Sequence, residues 1–154
     1  MLSENAKKEI SKEISKFPEK KAALLPALHM AQKEQGWISK ETMEEIASII
    51  EIKPIEVMEV VSFYTMFNMN PVGRYHLQVC TNLSCSLLNS RHMLNHLQDK
   101  LGIKTGETTK DNKFTLSTVE CLGSCGTAPM MQVNDEFHEN LTKQKIDTIL
   151  ESLK

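Results

Sequence analysis

The sequence predicts a two-part α+β or α/β protein: a small helical bundle over residues 1–70, then helices packed on a small sheet over 71–154. Three observations carry this. Up to about residue 70, apolar residues recur at helical spacing and no strand pattern interrupts them. Asn68-Met69-Asn70-Pro71-Val72-Gly73 is a polar Pro/Gly stretch that reads as a linker. Beyond it the order is strand, helix, strands, helix, which builds an α/β layer.

In the first part, Ser3 is placed to cap a helix carrying Ile10, Ile14 and Phe17, closed by Pro18. A second helix covers about 19–35, with Leu24, Leu25, Leu28 and Ala31 on one side. Pro26 lies inside it, so a kink or a late start is expected. Gly36 follows as its terminator. Ser39 can cap a third helix with Met43, Ile46, Ala47 and Ile50. Pro54 suits the first turn of a fourth, with Val57, Met58, Val61 and Tyr64 on its buried side. Four such segments pack naturally as a bundle.

In the second part, Tyr75 to Val79 reads as a strand ending at Cys80. One helix is expected from about Ser86 to Leu101, with Leu87, Leu94, Leu97 and Leu101 in register, stopped by Gly102. Asp111-Asn112 reads as a turn. Phe114 to Glu120 reads as a strand running into Cys121, and Met130 to Val133 as another, closed by Asn134-Asp135. Thr142 caps a last helix carrying Ile146, Ile149, Leu150 and Leu153.

Composition excludes several function classes. A formal net charge of −2 gives no basic footprint for nucleic acid. No apolar run approaches the roughly 20 residues of a membrane span, so no direct membrane insertion is expected. The start of the chain shows no secretory signal, which makes disulfides the poorer account of four cysteines. No nucleophile elbow and no Gly-rich phosphate loop are present, so no flavin, nicotinamide or substrate site is expected on this chain.

The chemistry therefore falls on Cys80, Cys85, Cys121 and Cys125. Each pair follows a predicted strand, which places the thiols at one edge of the sheet. We read them as the cage of one [2Fe–2S] cluster, which needs four thiolates, two on each iron. The simplest assignment puts Cys80 and Cys85 on one iron and Cys121 and Cys125 on the other. Gly123 and Gly126 let the backbone turn amide N–H groups toward sulfur. Structural zinc also takes four cysteines, usually at C-x₂-C spacing, and a zinc-bound adaptor is the alternative of another class. A free-standing ferredoxin or redox sensor is a third. No histidine lies within two residues of a cysteine. His92 and His96 share a helix face, which reads as a polar surface rather than a metal pair. Trp37, Phe63, Tyr64 and Phe67 are candidates for core or for a docking interface.

The runs Leu28 to Ile38, Val60-Val61-Ser62-Phe63-Tyr64-Thr65-Met66-Phe67, Cys80-x₄-Cys85 and Cys121 to Met131 resemble the 24 kDa subunit family of respiratory complex I. Its bacterial members are the E-type subunits of NADH-quinone oxidoreductase. The resemblance runs from about residue 12 to the end. It implies a helical bundle followed by a thioredoxin-like [2Fe–2S] ferredoxin domain, with the four cysteines as ligands. It also implies docking on a subunit that binds NADH and FMN, beside further iron–sulfur subunits, and single-electron exchange with the FMN. The place implied is the peripheral arm on the cytoplasmic side of the bacterial inner membrane. Related chains serve as small subunits of NAD-linked hydrogenases and formate dehydrogenases. Asn89 departs from the family, many of whose members carry glycine near that position, and is expected to alter the entry to the helix there.

Overall fold

The computed structural model describes residues 1–153. It divides into two compact units, Met1–Pro71 and a second from Val72 onward.

The first unit is all-helical: α1 (Glu4–Ile14), α2 (Leu24–Gln35), α3 (Lys40–Ile50) and α4 (Pro54–Phe63), with a 3₁₀ turn at Lys20–Ala23. Its ends follow local chemistry. The Ser3 hydroxyl accepts the Ala6 N–H, and the Ser39 hydroxyl accepts the Thr42 N–H, satisfying donors that no helical carbonyl reaches. α1 stops at Ile14, so Phe17 lies beyond it. α2 starts late. Pro26 then sits in the first turn, where its missing N–H has no partner to lose, and no kink is needed. Gly36 ends α2 at φ 80°, a left-handed conformation that suits glycine. Pro54 opens α4, and the Glu56 carboxylate accepts the Lys53 N–H.

Ile10, Leu28, Ile38, Ile46, Ile50, Val57 and Val61 form the core of this unit. Each buried side chain of this size contributes about 1.5–3 kcal/mol. Two expected core positions are on the surface instead: Met58 and Tyr64 are exposed. Val57 and Val61, four residues apart, already supply the narrow inward stripe of α4, and the backbone turns extended at Tyr64. Phe67 is core, only 5% exposed, and packs against His29. The Gln32 side chain fixes the segment after α4 by accepting the Asn68 N–H at 2.6 Å and donating to the Met66 carbonyl at 2.8 Å.

The second unit is a four-stranded sheet with β1 (Tyr75–Cys80), β2 (Phe114–Val119), β3 (Met131–Val133) and β4 (Glu136–His138), in the order β2-β1-β3-β4. Its helices are α5 (Leu83–Leu87), α6 (Ser90–Leu101) and α7 (Lys143–Ser152). β1 and β2 pair in parallel, joined by a crossover through α5 and α6; β3 and β4 add antiparallel. Leu77, Val79, Leu97, Leu116, Met131 and Ile146 are buried together in its core. The Thr142 hydroxyl caps α7 through the Lys145 N–H. His96 Nε2 lies 2.8 Å from Asp147 Oδ1 and ties α6 to α7.

Two features depart from the sequence reading. The single helix expected from Ser86 to Leu101 is two, because Asn89 is left-handed (φ 68°, ψ 27°) and breaks the run. Leu87 is consequently 74% exposed instead of in register with Leu94 and Leu97. Asparagine tolerates this conformation best after glycine. Asn134-Asp135 closes β3 as expected and is also the two-residue turn of a hairpin into β4, an edge strand that the sequence reading does not include.

Asn89 generates a prediction. Asn89→Gly should leave the unfolding free energy from urea titration within about 0.5 kcal/mol of the parent, while Asn89→Val should cost about 1–2 kcal/mol, because a β-branched residue resists φ above zero. Equal midpoints for all three, followed by circular dichroism, would contradict a break held by this backbone angle.

Candidate functional site

The site begins at the C-terminal ends of two parallel strands. Cys80 is the last residue of β1 and pairs with Val119, the last of β2. Parallel strands end at the same edge, so the loop after β1 and the loop after β2 leave from adjacent points. The Thr81 N–H donates to the Val119 carbonyl at 2.9 Å, and the Cys80 N–H to the Met130 carbonyl at 3.2 Å. The end of β1 is thereby pinned on both sides.

Cys80 and Cys85 are both 3% exposed and pack with Met130, which is fully buried; Leu122 and Ala128 lie against them. The Asn82 side chain accepts the Leu83 N–H and starts α5, which carries Cys85 inward. The Cys80 thiol donates to the Glu120 carbonyl at 3.4 Å. Burial pushes the Cys85 thiol up to about 11; hydrogen bonding with Cys80 and the nearby sulfurs of Cys80 and Cys125 add to the rise, against a hydrogen bond from the Met130 backbone. Cys85 is therefore within electrostatic reach of cysteines from both loops.

Cys121 and Cys125 are exposed. Cys121 lies two residues past β2, and its sulfur accepts the Gly123 N–H at 3.4 Å. Gly123 has φ 78°, which a residue with a side chain adopts only under strain. Cys125 opens a 3₁₀ turn, Cys125–Thr127. The Gly126 backbone is not left-handed, and a Cβ there would meet no other atom within 4 Å.

All four thiols are free. Among the described residues, no three His, Cys, Asp or Glu side chains close around one point to hold a single ion. A tetrahedral Cys₄ zinc site asks for four sulfurs around one ion. A [2Fe–2S] cluster asks for two protein sulfurs on each of two irons, a wider and pairwise demand. Two buried thiols in mutual contact, a third within reach from the second loop and a backbone N–H on the fourth sulfur fit the pairwise demand. His96 is engaged with Asp147, and His92 is exposed on α6.

One group escaped the sequence reading. Glu139, between β4 and α7, accepts hydrogen bonds from the hydroxyls of Ser124 and Thr127, on either side of Cys125. Those two hydroxyls hold its carboxyl below the usual carboxylate range. No spacing pattern marks a carboxylate 14 positions from Cys125.

The thioredoxin-like [2Fe–2S] ferredoxin family matches residues 10–154. The chain belongs to this family. It is 47% identical over 148 residues to one of the NADH-quinone oxidoreductase E-type subunits of Rhizobium meliloti (strain 1021), covering 96% of this chain and 88% of that protein. It is 45% identical over 141 residues to the corresponding E-type NADH-quinone oxidoreductase chain of Rickettsia prowazekii (strain Madrid E), covering 90% and 80%. In structure it is similar to a chain of an NAD⁺-reducing [NiFe]-hydrogenase, with a TM-score of 0.75 and 25% identity over 84% of this chain. It spans 22% of that hydrogenase chain.

The burial contrast sets a reactivity order in the metal-free protein. At pH 8 iodoacetamide should modify Cys121 and Cys125 well before Cys80 and Cys85, since the thiolate is the nucleophile and Cys85 is the harder to ionise. Raising the pH toward 11 should bring Cys85 into reaction. Mass spectrometry of digests would show it; equal rates at pH 8 would contradict the burial described.

Proposed function

We propose that this chain is the electron-transfer subunit of an NADH:quinone oxidoreductase and holds one [2Fe–2S] cluster through Cys80, Cys85, Cys121 and Cys125. In this reading it exchanges single electrons with the FMN of a partner subunit that also binds NADH. It works as an electron-carrier part of an oxidoreductase. The observation that carries the reading is the parallel register of Cys80 with Val119, which brings the two cysteine loops out at one edge of the sheet. The relatives named as NADH-quinone oxidoreductase subunits support the complex.

When bound, the cluster supplies a one-electron carrier that needs no bond rearrangement in the protein. The chain's own groups set its surroundings. Buried Cys80 and Cys85 exclude water from one side, which disfavours added negative charge. The Gly123 N–H on Cys121 and the Met130 backbone on Cys85 oppose that by donating to sulfur.

Membership of a multisubunit complex follows from the relatives' names; the flavin-bearing partner, further iron–sulfur subunits and a peripheral-arm position on the cytoplasmic side are this proposal's own. No helix among the described residues is long and apolar enough to cross a membrane. The docking role of residues 1–70 belongs on the outer side of α4. Phe63 is 76% exposed, and Ile55, Met58, Tyr64 and Met66 are exposed with it, whereas Phe67 is core. A second reading, a hydrogenase small subunit, is favoured by the NAD⁺-reducing hydrogenase likeness. Affinity purification separates the two: the first predicts a flavoprotein without nickel, the second a nickel enzyme.

Two outcomes are expected. Cys121→Ser should lose or destabilise the cluster, seen as a bleached visible spectrum and reduced iron; an unchanged spectrum and iron content would count against these ligands. Phe63→Glu should abolish recovery of the flavoprotein partner in a pull-down while leaving the visible spectrum intact. Undiminished recovery would remove α4 from the docking surface.

A further inference from the structure

Two of the four proposed ligands lie in an exposed loop with few apolar anchors. What fixes that loop is a polar latch. Glu139 Oε1 accepts from the Ser124 hydroxyl and, at 2.6 Å, from Thr127 Oγ1; the two hydroxyls are themselves 2.7 Å apart. Ser124 directly precedes Cys125, and Thr127 is the last residue of its turn. One oxygen therefore grips the residue just before the sulfur-bearing turn and the last residue of that turn. The latch is anchored behind. The Asn140 N–H donates to the Thr127 carbonyl at 2.7 Å, and the Leu141 N–H to the Pro129 carbonyl at 2.8 Å. Lys145 Nζ donates to the Glu139 carbonyl at 2.6 Å, and Leu141 is buried in the core. The hydroxyl bonds, the Ser124 bond foremost, hold the carboxyl below its usual range, so it meets them as a carboxylate. Hydrogen bonds to an ionised acceptor are the stronger kind.

We infer that Glu139 is a positioning residue for the cluster: by binding Ser124 and Thr127 it holds the Cys125 turn in ligating position. This rests on the reading that the four cysteines ligate the cluster. It gives the exposed side of the site the order that burial gives Cys80 and Cys85. A turn free to move would let its thiolate leave iron, so latch and ligand retention are linked.

The test uses the full chain, reconstituted anaerobically with iron and sulfide. Glu139→Ala loses two hydrogen bonds to a charged group and should release its iron to a chelator at least on the order of ten- to a hundredfold faster than the parent, the factor that one such bond supplies. The EPR spectrum of its reduced form should shift. Glu139→Gln keeps an acceptor oxygen without the charge and should fall between. The double variant Ser124→Ala/Thr127→Val removes the donors while keeping the carboxylate, and should reproduce Glu139→Ala; it decides the matter if Glu139→Ala does not fold. Any fall in the thermal midpoint of the metal-free protein should accompany the faster iron release and the shifted spectrum, not replace them. Parental release rates and spectra would overturn the inference. So would a lowered midpoint with an unshifted spectrum, which marks an ordinary structural contact. A parent chain that takes up no iron would overturn the cluster reading and this inference with it, so the two failures are distinct.

Discussion

The parallel pairing of β1 with β2 is the constraint on which the rest depends. Its register sets Cys80 opposite Val119, and two residues later the second strand delivers Cys121. An antiparallel pair would send the two loops to opposite ends of the sheet, about 20 Å apart for six-residue strands. A parallel pair needs a crossover of a dozen residues or more. The chain supplies it with α5 and α6 and uses the start of that crossover to carry Cys85. Fold and proposed site are thus the same stretch of chain: the connection that permits the pairing also carries a proposed ligand.

The four sulfurs do not share one environment. Cys80 and Cys85 belong to a small buried cluster with Met130, and Cys85 is correspondingly hard to ionise. Cys121 and Cys125 face solvent in a loop held by Gly123, Ser124, Thr127 and Glu139. One side of the site is ordered by exclusion of water and the other by hydrogen bonds. That asymmetry has a physical use for a carrier. The buried side limits water, and the open side leaves Cys121 and Cys125 accessible.

Much of this was legible in the sequence where a signal has a single local cause. Ser3, Ser39 and Thr142 cap helices because their hydroxyls reach an N–H three residues on. Gly36 and Gly102 end helices because φ turns positive there. Pro54 starts one because its missing N–H costs nothing in the first turn. The cysteine spacing marked four candidate ligands by the same local logic. Errors arose where two causes competed. Leu87 lies seven residues before Leu94 and mimics a continuous helical stripe, but Asn89 turns left-handed between them. Met58 and Tyr64 are apolar enough for the core, but Val57 and Val61 already fill it. β4 is three residues, polar at both ends and at the sheet's edge, so it carries no alternation to read. Glu139 was invisible because its partners are hydroxyls 12 and 15 positions away, brought near by the β3–β4 hairpin.

The central claim is that four thiolates from two adjacent loops hold a pair of irons. Metal and sulfide analysis of the chain purified without oxygen tests it most directly. The account predicts a brown protein with about two irons and two acid-labile sulfides per chain. A colourless protein holding one zinc and no sulfide would contradict it.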